Sequence, residues 1–505
     1  VTAVVNARGY ITTTTYDVAG RPTVLTDSLN YRTTTTYDDA SRVINVKNAR
    51  GAMTTTVYDP AGRATNTIDP LGKITTYAYD NANRLVAFTN PDNETTLTVY
   101  DAAGRAIESV DPVSHITTAA YDNANRVIAV KNPENAIVTS IYDSAGRMTT
   151  SVNPRGKRTT FTYDPANRRV AVRDAENHIT TTVYDAAGRV TASVNANHEI
   201  TTSVYDPANR RTALIDSNGH ITTFAYDAAG CMTVQTDPLN RKTTYTYDQA
   251  NNVTQKADAR GITVDMTYSG NNWQTNANYS DGRSHTYGYD QVGNQITATG
   301  PNGTYNNTFD LRNEKTEVQN PDSQDASYTF YNTPGRRKTL TDPDNGIFTY
   351  TYDNAGRQRT VTNPQGKTAT YTYDDANRQI VKQDANGVTT TTTYDKAGNI
   401  LGIHATKSSG TLVERLTYTY DNVNNRTTRA DHTGGVTTWT YDNIYQLTRE
   451  QASGAYPYDI AYTYDNAGNR LTRVANGETT TYTYNNANEL ISEQSSSGVT
   501  THTYD

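Results

Sequence analysis

Asp59 and Arg63 stand four residues apart, and so do Asp80 and Arg84. A carboxylate held beside a guanidinium is a pairing that catalytic sites use to tune protonation, so these residues are the first candidates for chemistry. The same pair returns ten times at one spacing, from Asp17 and Arg21 to Asp206 and Arg210. Catalysis would single out one unit. A pair repeated in every unit reads instead as a frame, with Asp capping a turn and Arg lying on or near a Tyr.

The histidines raise a second possibility, metal ligation. His115, His178 and His220 each lie six residues before a Tyr, but Lys73, Lys157 and Lys367 hold the same slot elsewhere. A slot that accepts Lys is expected to face solvent, which argues against a ligand set. The chain has no H-E-x-x-H, no paired C-x-x-C, no G-x-S-x-G and no phosphate-binding loop. Its Asp- and Asn-rich turns lack the clustered acidic spacing of a calcium loop. Cys231 stands where ten preceding units have Arg and reads as drift. Rows of Tyr could bind sugars, but packing accounts for them without a ligand. Trp273 and Trp439 lie near irregular units and are the aromatic candidates for contact. No catalytic residue, cofactor or metal site is expected, and no enzyme activity.

These residues are positioned by a strict repeat. Tyr recurs at 16, 37, 58, 79, 100 and onward to 289 with a spacing of 21. A fixed period of this size marks a repeat architecture. Within the unit that begins at Tyr58, Asp59-Pro60-Ala61-Gly62 makes one turn and Asp69-Pro70-Leu71-Gly72 a second. Asp or Asn opens each turn and bonds backbone N–H groups ahead of it. Pro suits position i+1 of a type I turn. Gly or Asn closes it, as the residues that best tolerate φ > 0. Residues 63–68 and 73–79 then read as strands, so each unit is one β-hairpin plus the turn to the next. The closing residue of the first turn alternates, Gly62 and then Asn83, so the true period is nearer 42. Along the second strand Tyr77 and Tyr79 share one face, with Ile74 and Ala78 on the other. Runs such as Thr33 to Thr36 are expected to stack into Thr ladders.

Net charge is −7, which offers no basic stripe for nucleic acid. No stretch has the length and apolar character of a membrane-spanning helix. Residues 1–268 form the regular array. Residues 269–505 continue it with irregular spacings and an insertion near 405–410; loop-length drift is the favoured reading of these departures, and a special contact would fall in the zones 268–335 and 402–416. The chain begins and ends inside a repeat, so it is expected to be a segment of a longer polypeptide.

Tyr58-Asp59-Pro60-Ala61-Gly62-Arg63, repeated in register along essentially the whole chain, resembles the YD repeat of the Rhs family. Similar repeats occur in bacterial wall-associated proteins, in Tc toxin B and C components and in teneurins. The resemblance implies a long β-ribbon wound into a hollow shell, often around a toxic C-terminal domain. The core segment that ends the shell of toxin-bearing members is not found in this sequence. The expected fold is all-β, about 48 short strands in a continuous array of hairpins wound into a hollow β-spiral, with Tyr58, Asp59, Gly62, Arg63, Tyr79, Asp80, Asn83 and Arg84 as the structural signature. The expected role is structural, as part of a large secreted or cell-surface protein. A toxin-encapsulating shell and an adhesin that binds glycan or partner cells are the alternatives. Expected partners are the rest of the same polypeptide, other copies of the chain, and a glycan or cell-surface ligand.

Overall fold

The computed structural model of the chain describes residues 1–504. They form 48 β-strands, from Thr2–Val5 to Gly498–Thr501, in one antiparallel sheet, and no helix is present among the described residues. Strand formation follows composition: Thr-rich and β-branched runs alternate and are broken every few residues by Asp/Asn-x-x-Gly/Asn. Arg63 and Lys73 fall at turn ends, so the observed strands are Ala64–Ile68 and Ile74–Tyr79.

Both turns of a unit have the same local geometry. In the first, Gly62 N–H donates to Asp59 O at 3.0 Å and Asp59 N–H to Arg63 O at 2.9 Å. In the second, Gly72 and Asp69 repeat this with Lys73. Gly62 lies at φ 86° and Asn83 at φ 63°, the left-handed region that lets the turn close into a hairpin. A β-bulge then sets the first hairpin apart. Tyr58 pairs with Ala64 but Val57 pairs with Asn66, so one extra residue sits in the return strand.

The chain forms two compact units. One comprises residues 1–116 and 244–371, the other residues 117–243 and 372–505. Each unit therefore contains an early and a late arc of ribbon. Few residues in either are fully covered. The buried ones are Ala52, Ala136, Gly270, Ala277, Ala405, Tyr418, Gly435, Thr437 and Tyr482, and no large side chain among the described residues is wholly enclosed. Tyr77 and Tyr79 are half-buried, while Ile74, Thr76 and Ala78 on the opposite face are exposed. A sheet with so small a core depends on its backbone ladder and on side-chain ladders across strands. Thr hydroxyls supply one of these, as between Thr89 and Thr95 at 2.8 Å and Thr246 and Thr254 at 3.1 Å.

The insertion near 405–410 is not a bulky loop. It lengthens a hairpin, giving strands Ile400–Thr406 and Leu412–Tyr420 with Ala405 opposite Glu414. The turn at its tip, 407–411, has the same bond pattern as the turns at 59–63 and 69–73.

The repeat corner as candidate functional site

The candidate residues meet at the corner where one hairpin passes to the next. Asp59 sits at the end of a strand, where its Oδ1 accepts the Arg63 N–H at 2.9 Å. Its Oδ2 takes both Arg63 Nε and Arg63 Nη2 at 2.7 Å. Arg63 Nη1 reaches forward to the next corner and donates to Asp80 O at 3.1 Å and Asn83 Oδ1 at 2.9 Å. The guanidinium lies 5.0 Å above the centre of the Tyr79 ring. Tyr79 in turn donates its hydroxyl to Ala64 O at 3.0 Å. One planar cation thus ties a carboxylate, a ring and the following turn together, which the fork of Arg permits and a Lys would not.

Arg84 repeats the arrangement with Asp80 and Tyr100, but its Nη1 finds only the Asp101 carbonyl, at 3.2 Å. The following turn closes with Gly104, which has no side chain to accept. Where the closing residue is Asn83, Asn167 or Asn209, the preceding Arg gains a side-chain acceptor. The alternation seen in the sequence is therefore an alternation of acceptors.

The corner is electrostatically closed. The Asp59 carboxyl is held below its ordinary range, first by the Arg63 backbone N–H and then by the Arg63 side chain, against the opposing effect of burial. Asp80 is lowered by the same causes. Carboxylates so stabilised are poor general bases. The Asp59 carboxylate, the Arg63 guanidinium and the Tyr79 hydroxyl are all engaged in the frame. Among the described residues, no group of three His, Cys, Asp or Glu is arranged to hold a metal ion.

The second turn of each unit behaves differently. In each compact unit the second turns of the early arc pack against the Tyr-Asp turns of the late arc. Glu94 forms a salt bridge with Arg336 at 2.6 Å, and Arg241 with Glu489 at 2.7 Å. Tyr31 stacks on Trp273 with ring centres 6.4 Å apart. Tyr445 donates to Asp174 Oδ2 and lies 3.0 Å from His178 Nδ1. Burial and the Asp174 bond push the Tyr445 hydroxyl well above its ordinary range.

This seam corrects one expectation. The histidine slot does not face solvent: the side chains of His115, His178 and His220 are 17%, 26% and 23% exposed. The reason is the packing of the early turns against the late arc, where a Lys or a His keeps its polar end at the boundary. From Glu94 and Arg336 to Asp174 and Tyr445, the seam pairs lie 242 to 271 positions apart in sequence, which periodicity alone does not connect. One signal was available. The run of Arg after the Tyr-Asp turns ends at Arg210 and gives way to Cys231, Asn252 and Trp273.

The teneurin YD-shell family matches residues 3–180 and 160–379, and the RHS repeat matches residues 373–412. No curated protein matches. Among solved structures, the chain is similar to TcdB2-TccC3-TEV, with TM-score 0.67 and 14% identity over 95% of this chain and 37% of that one. It is also similar to TcdB2-TccC3, with TM-score 0.64 and 15% identity over 95% and 34%. The Photorhabdus luminescens Tc holotoxin pore gives TM-score 0.51 and 16% identity over 97% and 31%. The chain thus spans about a third of the length of these chains, and at this identity the likeness is one of fold. With the family match running through residues 3–379 and the Tyr-Asp corner repeated in ten successive units from Asp17 to Arg210, the chain belongs to the teneurin YD-shell family.

Proposed function

We propose that this chain is a wall segment of a larger YD-repeat protein, a non-catalytic ribbon wound into a hollow β-tube or shell. The observation that carries this reading is the corner: in ten successive units Asp pairs with Arg, and in nine of them that Arg is seen over the Tyr of the next hairpin. Regular residues 1–268 form the uniform part of the wall, and residues 269–505 the part with local departures. The wall works with the remaining parts of its own polypeptide and stands outside the cell or at its surface. Electron microscopy of the purified chain tests this. Hollow particles support the wall; solid or flat particles overturn it.

A second reading is a shell that encloses a toxic domain carried elsewhere in the polypeptide. The likeness in fold to the Tc structures favours it. Expression of the full polypeptide followed by protease treatment separates the two. Digestion of every non-repeat domain at once supports the plain wall, and survival of one domain until the wall is breached supports enclosure.

A further inference from the structure

Three second turns share a feature that the others of the early arc lack. Asn6-Ala7-Arg8-Gly9, Asn48-Ala49-Arg50-Gly51 and Asn153-Pro154-Arg155-Gly156 carry Arg at the third position. Each of these arginines reaches the late arc of its own unit. Arg8 lies 3.4 Å from Asp248 Oδ2 and donates to Ser269 O at 2.5 Å and Asn272 Oδ1 at 2.7 Å. Arg155 lies 3.5 Å from Asp395 Oδ2 and donates to Asp421 O at 2.8 Å and Asn424 Oδ1 at 2.9 Å. Arg50 lies 3.4 Å from Asp290 Oδ2 and donates to Phe309 O at 2.8 Å and Asn313 Oδ1 at 3.0 Å.

For Arg8 and Arg155 these are the same three groups that Arg63 uses in its own ribbon: the Asp that opens one turn, here reached as an ion pair and not as the 2.7 Å hydrogen bond of Arg63, the carbonyl that opens the next, and the Asn that closes it. Arg50 differs only in taking the carbonyl one residue earlier. In each case the late turn lacks its own Arg. Asn252, Asn294 and Asn399 stand there, each with its amide on the neighbouring Asp at 2.8 Å and on the shared closing Asn at 2.8–3.0 Å. The shorter Asn leaves room for a guanidinium from the other arc. The three guanidinia are 12–20% exposed, against 28% for Arg63 in the early arc and 17% and 22% for the resident Arg357 and Arg378 of the late arc.

We propose that Arg8, Arg50 and Arg155 are register keys of the seam, arginines supplied from the early arc to a seat that elsewhere in the ribbon is filled from within. The offset is the same in all three, from 8 to 248, from 50 to 290 and from 155 to 395. A slip of one unit toward the start of the late arc sets Arg155 against Asp374, whose seat is already held by Arg378. Two cations then compete for one carboxylate, and the slipped register is disfavoured. The early Tyr-Asp turns, from Arg21 to Arg210, have filled seats and reject an Arg-bearing second turn for the same reason.

The test uses the 505-residue chain and hydrogen exchange at the turns. Arg50→Ala is expected to speed exchange about tenfold at both 48–52 and 290–294, because a half-buried carboxylate and two acceptors lose their cation. Asn294→Arg alone is expected to expel Arg50 and speed exchange at 48–52. The combination Arg50→Ala with Asn294→Arg is expected to restore protection at 290–294 while 48–52 stays fast. The proposal is overturned if the combination is no better protected at 290–294 than Arg50→Ala. It is also overturned if Asn294→Arg leaves 48–52 as in the parent, since both guanidinia then fit at once. Arg50→Lys, which keeps the charge and a long side chain, is expected to fall between parent and Arg50→Ala; parental protection there removes the need for a fork. The Arg155 and Asn399 pair repeats the experiment in the other unit.

Discussion

Tyr79 is fixed at both ends by the hairpin it follows: its hydroxyl donates to Ala64 O at 3.0 Å, and its ring lies beneath the guanidinium of Arg63. Tyr79→Phe removes the first tie and keeps the second. A single partly buried hydrogen bond of this kind contributes about 1 kcal/mol, so local exchange at 58–64 is expected to rise about fivefold. Because the repeat is nearly one-dimensional, units several hairpins away are expected to be unchanged.

Gly62 supports a sharper comparison. Its φ of 86° is costly for a side chain, but the position itself is open, since a Cβ there meets only Arg42 Nη1 at 3.6 Å. Gly62→Val is expected to destabilise its hairpin by about 1–2 kcal/mol, through the backbone and not through a clash. Gly62→Asn is expected to cost only a few tenths of that, because Asn83 adopts φ 63° at the equivalent place. Equal effects of the two substitutions would show that the cost is steric after all.

The lowered carboxyls predict an acid limb. Asp17, Asp38, Asp59 and Asp80 are all below their ordinary value in the folded chain, led by the backbone N–H of the following Arg. A group lowered on folding stabilises the fold above its unfolded value, near 3.9, and this is lost as pH falls through the lower folded value. The urea midpoint is therefore expected to be level with respect to these groups from pH 7 to about 5 and to fall below about 4. A midpoint that rises on acidification would contradict the frame role of these residues.

Tyr445 predicts the opposite limb within one unit. Its hydroxyl is raised on folding, so its contribution is complete below the unfolded value, near 10, and is lost as pH rises through the folded value. Exchange at 174–178 and 442–446 is expected to quicken above about pH 10. Tyr445→Phe should quicken it already at neutral pH and remove that rise.

Trp273 offers a direct reporter. The chain has two tryptophans, so Trp439→Phe leaves the Tyr31 contact as the source of the signal. Trp273 also meets Tyr289, with ring centres 5.4 Å apart. Trp273→Ala is expected to cost about 2 kcal/mol, less than for a fully enclosed ring. Tyr31→Ala in the Trp439→Phe background should redden the emission as the seam admits water.

The corner could be read from the sequence because its interactions are short. Asp59 and Arg63 are four residues apart, and Arg63 and Tyr79 belong to adjoining hairpins. Turn chemistry and a strict period suffice to place all of them. The seam could not be read in this way. Arg8 and Asp248 are joined by the path of the ribbon in space, and Asp248 by itself is an ordinary Tyr-Asp residue of the repeat. Trp273 and Asn294 break the Arg pattern for a reason that lies in Tyr31 and Arg50, and period alone has no term for that distant cause.

The two kinds of contact respond in opposite ways to a change in copy number. A corner reaches only as far as the next hairpin, so unequal recombination that adds or deletes whole units rejoins one corner to another and leaves each intact. The keyed seam does not share this tolerance. One extra unit inserted between residues 51 and 247 would carry Asp248 and Asp290 twenty-one places along and separate both from their arginines at a stroke. The repeat that is simplest to duplicate is thus held to a fixed count by three residues that are not part of its signature.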